Sequence, residues 1–344
     1  MNSIFKKKVF FIAEISGNHD QNFKKAKKII KEISKTGADA IKFQTLQPDE
    51  MTLDSNKSYF RINEKSSIWS GQKLYNLYKK SAMPLEWQEE LFDYSKKLGL
   101  IAFSTPFGIK SLNFLKKIKS PIYKIASLEN SHFPLIKEIA KTKKPIILST
   151  GSATLDEIEE SVEFIKKQGC KDLTLLKCTS VYPAKFKDLN LNGIQTLKKK
   201  FNCRVGFSDH SQGIVGSMAA IALGAEVVEK HIKLNKSDKS IDAKFSITPG
   251  EMSELILNSN IIKQSLGDAK LFKTPSERFA SRRRRSIFVV RDIKSKEKLT
   301  SENVKVLRPN KGMHPKYYFN ILGKKVKINL KKGTPLKMNH LVKK

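Results

Sequence analysis

Acidic side chains are scarce in this chain: 33 Asp and Glu stand against 66 Lys and Arg over 344 residues, a formal net charge of +33. Such an excess invites a nucleic-acid partner. The lysines, however, are spread over many segments (Lys24, Lys25, Lys27 and Lys28; Lys96 and Lys97; Lys116 and Lys117; Lys198, Lys199 and Lys200), and only Arg282, Arg283, Arg284 and Arg285 form a compact cluster. That distribution describes solvated helix faces with a general attraction for small anions, and no nucleic acid is expected. Cysteine is limited to Cys170, Cys178 and Cys203, none in a CxxC spacing. A disulfide scaffold and a structural zinc site are thereby excluded, and a reducing compartment is expected. No apolar run approaches the ~20 residues that span a bilayer. The opening Met1-Asn2-Ser3-Ile4-Phe5 and the lysines after it lack the apolar core and cleavage site of a signal peptide. The expectation is a soluble, cytoplasmic protein with no membrane partner. GxGxxG and P-loop patterns are also missing, which removes the main support for dinucleotide and Walker-type binding.

What is present is a regular alternation. A hydrophobic share of 39% and a charged share of 29% are globular values. Short apolar runs at 9–15, 40–44, 100–104, 122–125, 145–149, 173–178, 205–207 and 227–231 are separated by amphipathic stretches at 23–36, 84–98, 109–118, 134–140, 155–168, 194–201 and 214–223. Strands apolar on both faces, alternating with amphipathic helices, predict a parallel sheet buried on both sides, and this many units predict a closed (β/α)8 TIM barrel. Gly37, Gly99, Gly169 and Gly224 follow helices, and Thr154 with Glu157 predicts a capping box. The insertion 47–81 is long for a loop after a strand and is expected to shape the mouth of the site. Past Gly267 the pattern changes. The expected organisation is a barrel domain over 1–267, a polar linker over 268–285, and a small mostly-β domain over 286–344 with strands at 287–290, 304–307 and 325–328.

In such a barrel the chemistry sits at the C-terminal strand ends. His210 and His231 close the last two strands, so two imidazoles lie side by side with Asp209 and Glu229 adjacent, a site suited to a divalent cation with open positions for water or substrate. A satisfied strand-end histidine is the bland reading for either alone; the pair favours the functional one. Lys42 and Lys124 lie inside apolar strands, and an unpaired buried ammonium is very costly. Each must meet an anion: an ion pair with Glu14 or Glu129, or a phosphate or carboxylate ligand aided by Ser and Thr hydroxyls. A Schiff-base lysine is a third reading.

The set Ile12-Ala13-Glu14-Ile15-Ser16-Gly17-Asn18-His19, Lys42-Phe43-Gln44-Thr45, Tyr123-Lys124-Ile125-Ala126-Ser127, Ser149-Thr150-Gly151, Lys177-Cys178-Thr179-Ser180-Val181-Tyr182-Pro183, Ser208-Asp209-His210 and Glu229-Lys230-His231 resembles the sialic acid synthase family, nearly end to end. The tail around Arg308-Pro309 and Gly312 resembles that family's antifreeze-like (SAF) domain, with Asn310 where Gly is common. The resemblance implies condensation of phosphoenolpyruvate with an N-acetylated amino-sugar aldehyde to a nine-carbon 2-keto-3-deoxy acid. It implies a divalent metal, Mn2+ or Mg2+, on His210 and His231. Phosphoenolpyruvate would be held by Lys42, Thr105, Lys124, Ser127, Ser149, Ser180 and Ser208. Gln44, Tyr182 and Asp242 would contact the sugar, with Glu14 and Glu129 near the reacting centre. Arg308 would reach a neighbouring barrel in a domain-swapped homodimer. Ser16-Gly17-Asn18-His19 and the loop 236–246 are similar to the pseudaminic acid branch, whose sugar is 2,4-diacetamido-2,4,6-trideoxy-L-altrose. The neuraminate and legionaminic acid branches, which run the same reaction, are the alternative.

Overall fold

The computed structural model describes residues 4–5, 9–65, 67–271 and 274–342, and the chain divides into two compact units, Met1–Gly267 and Asp268–Lys344. In the first, eight parallel strands close in sequence order into a barrel, β1 pairing with β8. They are β1 (Phe10–Glu14), β2 (Ala40–Thr45), β3 (Ile101–Pro106), β4 (Tyr123–Ile125), β5 (Ile146–Ser149), β6 (Leu173–Cys178), β7 (Arg204–Asp209) and β8 (Val227–His231). Each run expected from the sequence is a strand, with ends moved by at most two residues.

Helices α1 (Phe23–Ser34), α2 (Pro48–Met51), α3 (Leu74–Ser81), α4 (Leu85–Lys97), α5 (Ile109–Lys117), α6 (Phe133–Ala140), α7 (Leu155–Lys167), α8 (Gly193–Phe201), α9 (Val215–Ala222) and α10 (Pro249–Leu266) occur between and after the strands. Their lysines face water while Ile29, Ile30 and Ile33 of α1, or Ile158, Val162 and Ile165 of α7, are buried, the 3.6-residue periodicity of a helix with one apolar stripe. Thr154 and Glu157 form the expected capping box on α7, and Thr248 with Glu251 forms another on α10.

Successive strand residues point to opposite faces, and the core divides accordingly. Phe11, Ala13, Ile41, Phe43 and Ala102 pack outward against the helices. Phe10, Ile12, Ala40, Phe103, Ile147, Leu176 and Val227 form a separate cluster inside the barrel. Gly206 belongs to that interior: a Cβ there would stand 2.1 Å from the Val227 carbonyl oxygen and 2.7 Å from a Leu176 methyl. The barrel is closed at that level by backbone approaching where a side chain would be.

The second unit pairs β9 (Ser286–Val289) antiparallel with β10 (Val304–Leu307) over a core that includes Ile287, Val289, Leu299, Val304 and Leu336. The segment read as a linker contains α11 (Pro275–Ala280). The strand expected at 325–328 is not formed: Lys325 and Val326 make only isolated bridges, to Lys298 and Leu341. Its alternating pattern is genuine, since Val326 is buried, but neither neighbour extends far enough to build a ladder. Ser286 donates to the Pro309 carbonyl at 2.7 Å and accepts from the Lys311 and Gly312 amides at 3.1 and 2.9 Å, fixing the loop that carries Arg308.

Gly206→Ala tests the barrel closure. Overpacking against backbone is expected to cost about 1–3 kcal/mol, read as a lowered urea midpoint; an unchanged midpoint would show that the interior has room.

Candidate active site

The interior alternation that places Ile12, Ala40 and Val227 in the core brings Glu14, Lys42 and Glu229 to the layer above it, two residues on. Register sets Glu14 beside both Lys42 and His231, Gln44 beside Thr105, and Ser208 between Cys178 and Glu229. Above this layer opens a cavity of about 410 Å3. Its walls include Lys42, Gln44, Thr105, Lys124, Ser127, Glu129, Ser149, Tyr182, Ser208, His210, His231 and Asp242, so most of the residues expected from the sequence share one space. Glu14 lies beneath, wholly buried under Lys42. Arg308 lies in the second unit, on an exposed loop.

The two lysines differ in a way the sequence left open. The Lys42 ammonium pairs with Glu14, lies 3.6 Å from Glu229 and donates to the Thr105 hydroxyl at 3.3 Å. Burial works against its charge, but the two carboxylates hold its pKa above the ordinary value. Lys124 donates to the Ser149 hydroxyl at 2.6 Å and the Ile125 carbonyl at 3.1 Å, and makes no ion pair among the described residues. Burial pulls its pKa down. Glu129 instead faces His132 at 3.1 Å. Burial, with Glu229 nearby, pushes Glu14 up to about 7 against the pull of Lys42. Glu229, whose burial acts the same way, is held below its ordinary range by Lys124, Lys42 and His210.

Beside these charges lies a ring of hydroxyls. Ser127 accepts the Gly151 amide at 3.1 Å, and a Cβ on Gly151 would stand 2.3 Å from the Ser180 oxygen and 2.8 Å from that of Ser127. The buried Ser180 hydroxyl has no partner among the described residues. A space that only glycine leaves open, rimmed by hydroxyls and next to an unpaired ammonium, suits the oxygens of a small anion.

The imidazoles of His210 and His231 are 5.3 Å apart, centre to centre. His210 Nδ1 lies 3.1 Å from the Thr179 carbonyl; a carbonyl only accepts, so Nδ1 carries a proton, and, against the effect of burial, Cys178, that carbonyl and Glu229 hold the ring's pKa above its ordinary value. Burial, reinforced by His210 and Lys42, keeps His231 well below its ordinary pKa and therefore neutral. Its buried Nδ1 has no hydrogen-bond partner among the described residues, Asp242 being 3.9 Å away. Neutral imidazole with an unused nitrogen fits a metal ligand. No cluster of three or more His, Cys, Asp or Glu able to hold an ion occurs among the described residues, so an ion here would rely on the two histidines plus water or substrate oxygens. Asp209, expected next to them, points the other way: it accepts from the Ser211 amide at 2.8 Å, the Ser217 hydroxyl at 2.7 Å and the Lys230 ammonium at 3.1 Å, with no exposure. Strand alternation sends Ser208 and Glu229 inward and Asp209 and Lys230 outward.

The other side of the cavity is aromatic. Tyr182 stands 4.5 Å from His210, 5.3 Å from Phe245 and 5.5 Å from Trp69, ring centre to ring centre. Asp242 and Phe245 belong to the loop after β8. That loop is tied down by Asn18, which donates to the Ile232 carbonyl and Ser246 hydroxyl at 2.8 Å each and accepts from Ser240 at 2.7 Å. Asn18 thus positions the loop without lining the cavity.

Glu229 was expected beside the imidazoles as a strand-end carboxylate, and register sets its place between Lys42 and Lys124. Two contributors carried no expected role. Cys178, 3.7 Å from His210, could have been found by alternation along β6: Leu176 points in, so Cys178 does and Lys177 does not. Lys177 instead packs beside Gly193. Burial raises the Cys178 thiol while His210 pulls it down, to about 7. Trp69 comes from the insertion and had no sequence signal beyond being aromatic.

Fold and site together define a TIM-barrel enzyme whose strand ends gather buried lysines and hydroxyls beside two imidazoles. Residues 29–271 match the NeuB family model and residues 284–342 that of the SAF domain, and the chain belongs to the NeuB family. It is 44% identical to a pseudaminic acid synthase of Campylobacter jejuni, over 96% of both chains. An N,N'-diacetyllegionaminic acid synthase of the same organism is 36% identical over 94% of this chain and 98% of that one. Among solved structures, the N-acetylneuraminic acid synthetase of Leptospira borgpetersenii in complex with citrate superposes with a TM-score of 0.71 at 35% identity, covering 80% of this chain and 90% of that one.

Lys124→Met separates stability from binding. Removing a buried ammonium without an ion pair is expected to leave the free protein unchanged or more stable, by up to about 2 kcal/mol. Wild type is expected to rise in thermal midpoint with inorganic phosphate, and this rise should largely disappear in the variant. A less stable variant that still responds to phosphate would contradict the assignment.

Proposed function

We propose that the chain is a pseudaminic acid synthase, condensing phosphoenolpyruvate with 2,4-diacetamido-2,4,6-trideoxy-L-altrose to a nine-carbon 2-keto-3-deoxy acid and releasing phosphate. The observation that carries the reaction type is the unpaired Lys124 ammonium next to the Gly151 hydroxyl ring, with two histidines across the same cavity. The likeness to the Campylobacter jejuni pseudaminic acid synthase supports the choice of sugar over the neuraminate and legionaminic acid alternatives.

Phosphoenolpyruvate carries a phosphate and a carboxylate. Lys124, Ser127, Ser149 and Ser180 take one anionic group in this reading, and Lys42, Thr105 and Ser208 the other. They fix C3 of the enol toward the sugar aldehyde, and orientation of this kind is a large part of such a barrier. C3 bonds to C1 of the sugar, water adds at C2, and phosphate leaves by C–O cleavage. His210 and His231 would hold a divalent ion that, when bound, polarises the aldehyde oxygen as a Lewis acid. Nitrogen donors favour Mn2+ over Mg2+, whose preferred ligands are oxygens. Glu129 lines the cavity and is the carboxylate best placed to exchange a proton with the sugar or water. Glu14 acts from beneath by holding Lys42. Gln44, Tyr182 and Asp242 face the sugar. Arg308 of a second subunit completes the site in a domain-swapped homodimer. A cytoplasmic location suits phosphoenolpyruvate as a substrate.

Phosphate release from phosphoenolpyruvate, measured with each sugar and with Mn2+ or a chelator, tests the reading. Turnover is expected to be faster with the diacetamido-trideoxy-altrose than with N-acetylmannosamine and to stop with chelator. His210→Ala and His231→Ala should each lose at least about 100-fold in kcat, several kcal/mol of metal assistance being removed. Metal-independent turnover would refute the role of the histidines, and a preference for N-acetylmannosamine would refute the choice of sugar.

A further inference from the structure

The cavity is polarised: its charged floor is made by strand ends, and its upper wall by the insertion between β2 and α4. Met51, Ile62, Trp69, Leu74 and Leu77 all come from that segment and all line the cavity. The wall is built rather than draped. The Ile62 amide donates to the Gln72 carbonyl at 3.0 Å and the Gly71 amide to the Ile62 carbonyl at 2.7 Å, a tight closure that brings Ile62 and Trp69 together. Arg61 bridges Lys73, and Lys73 is pinned by Asp54 and by Asn56 at 3.2 Å. The Trp69 ring rests on Tyr182, which rests on His210, so it stands two ring layers from the reacting end. Its indole Nε1–H is buried and has no hydrogen-bond partner among the described residues, an arrangement that costs stability unless a ligand completes it.

We propose that this wall is the specificity subsite for the distal half of the sugar, with Trp69 Nε1–H donating to the carbonyl oxygen of the 4-acetamido group and Ile62, Leu74 and Leu77 covering the C6 methyl. The inference rests on the proposed function for the identity of the sugar. Relative to N-acetylmannosamine, that sugar exchanges a hydroxyl for an acetamide at C4 and a hydroxymethyl for a methyl at C6. An apolar wall alone rejects an added hydroxyl only about 100-fold, whereas a buried donor left unpaired by the wrong ligand discriminates far more strongly. The indole N–H is therefore the larger contributor to selection, and the aliphatic wall the smaller.

Trp69→Phe keeps the aromatic stack and removes only the donor; Trp69→Ala removes both. Steady-state phosphate release with the diacetamido-trideoxy-altrose is expected to show the sugar KM raised roughly 5-fold or more in Trp69→Phe and further in Trp69→Ala, one lost hydrogen bond and then a lost aromatic contact. The KM for phosphoenolpyruvate should stay within two-fold of wild type, and the preference over N-acetylmannosamine should fall in both variants. A sugar KM within two-fold of wild type in Trp69→Phe, or KM values for both substrates rising in parallel, would overturn the subsite while leaving the proposed function standing. Wild-type enzyme inactive with this sugar would remove the proposed function and this inference with it.

Discussion

Two ammonium groups kept out of water inside a parallel barrel are the constraint around which the site is arranged. Dehydrating a lysine is expensive unless its charge is met, and the two are met differently. Lys42 is neutralised from within by Glu14 and, at longer range, by Glu229. Lys124 donates only to a hydroxyl and a carbonyl among the described residues, and Glu229 acts on it through space without an ion pair. The free protein therefore holds a deficit of negative charge at one point of the cavity floor, and an incoming anion supplies it. The unmet lysine is the stronger attraction for such an anion, while the paired one is already held in place by Glu14.

The same alternation that buries the barrel core decides which acids belong to the site. Ser208 and Glu229 face in; one residue on, Asp209 and Lys230 face out and close a fully buried ion pair against Ser211 and Ser217 at the start of α9. Both pairs are acid-bearing and adjacent in sequence, yet one faces the cavity and the other fastens the loop that carries His210. Satisfying Asp209 with four donors removes it from contention as a metal ligand, because its oxygens are already committed.

The barrel was legible because it repeats. Eight strand runs, buried on both faces, each lack the polar alternation of an edge, and helices between them carry one apolar stripe, so local pattern and global topology agree. Most of the floor was legible for the same reason, since strand ends converge in any such barrel. What escaped depended on distance in the chain. That Cys178 and Glu229 face the cavity while Lys177 and Asp209 do not follows only once the inward parity of each strand is set by its neighbours. Trp69 is more than a hundred residues from Tyr182 and sits in a segment without periodicity, so nothing local announces the stack. The strand expected at 325–328 failed in the opposite sense: its pattern was right, but strands exist in pairs, and Val326 finds only a single bridging partner.

The large positive charge of the chain and the small number of charges in the cavity act on different scales. Surface lysines are separated from one another and from the cavity by solvent, and at physiological ionic strength a charge is screened over about 8 Å. They raise the frequency with which anions meet the protein and add little to holding one. Lys42 and Lys124 are buried where screening is weak, so under the proposed function these two ammonium groups would contribute more to holding an anion than the screened surface charges. Under the proposed function, a chain with its surface lysines replaced by neutral residues would meet its anionic substrate more slowly and bind it nearly as well, whereas neutralising Lys124 alone would leave the encounter intact and shorten the stay.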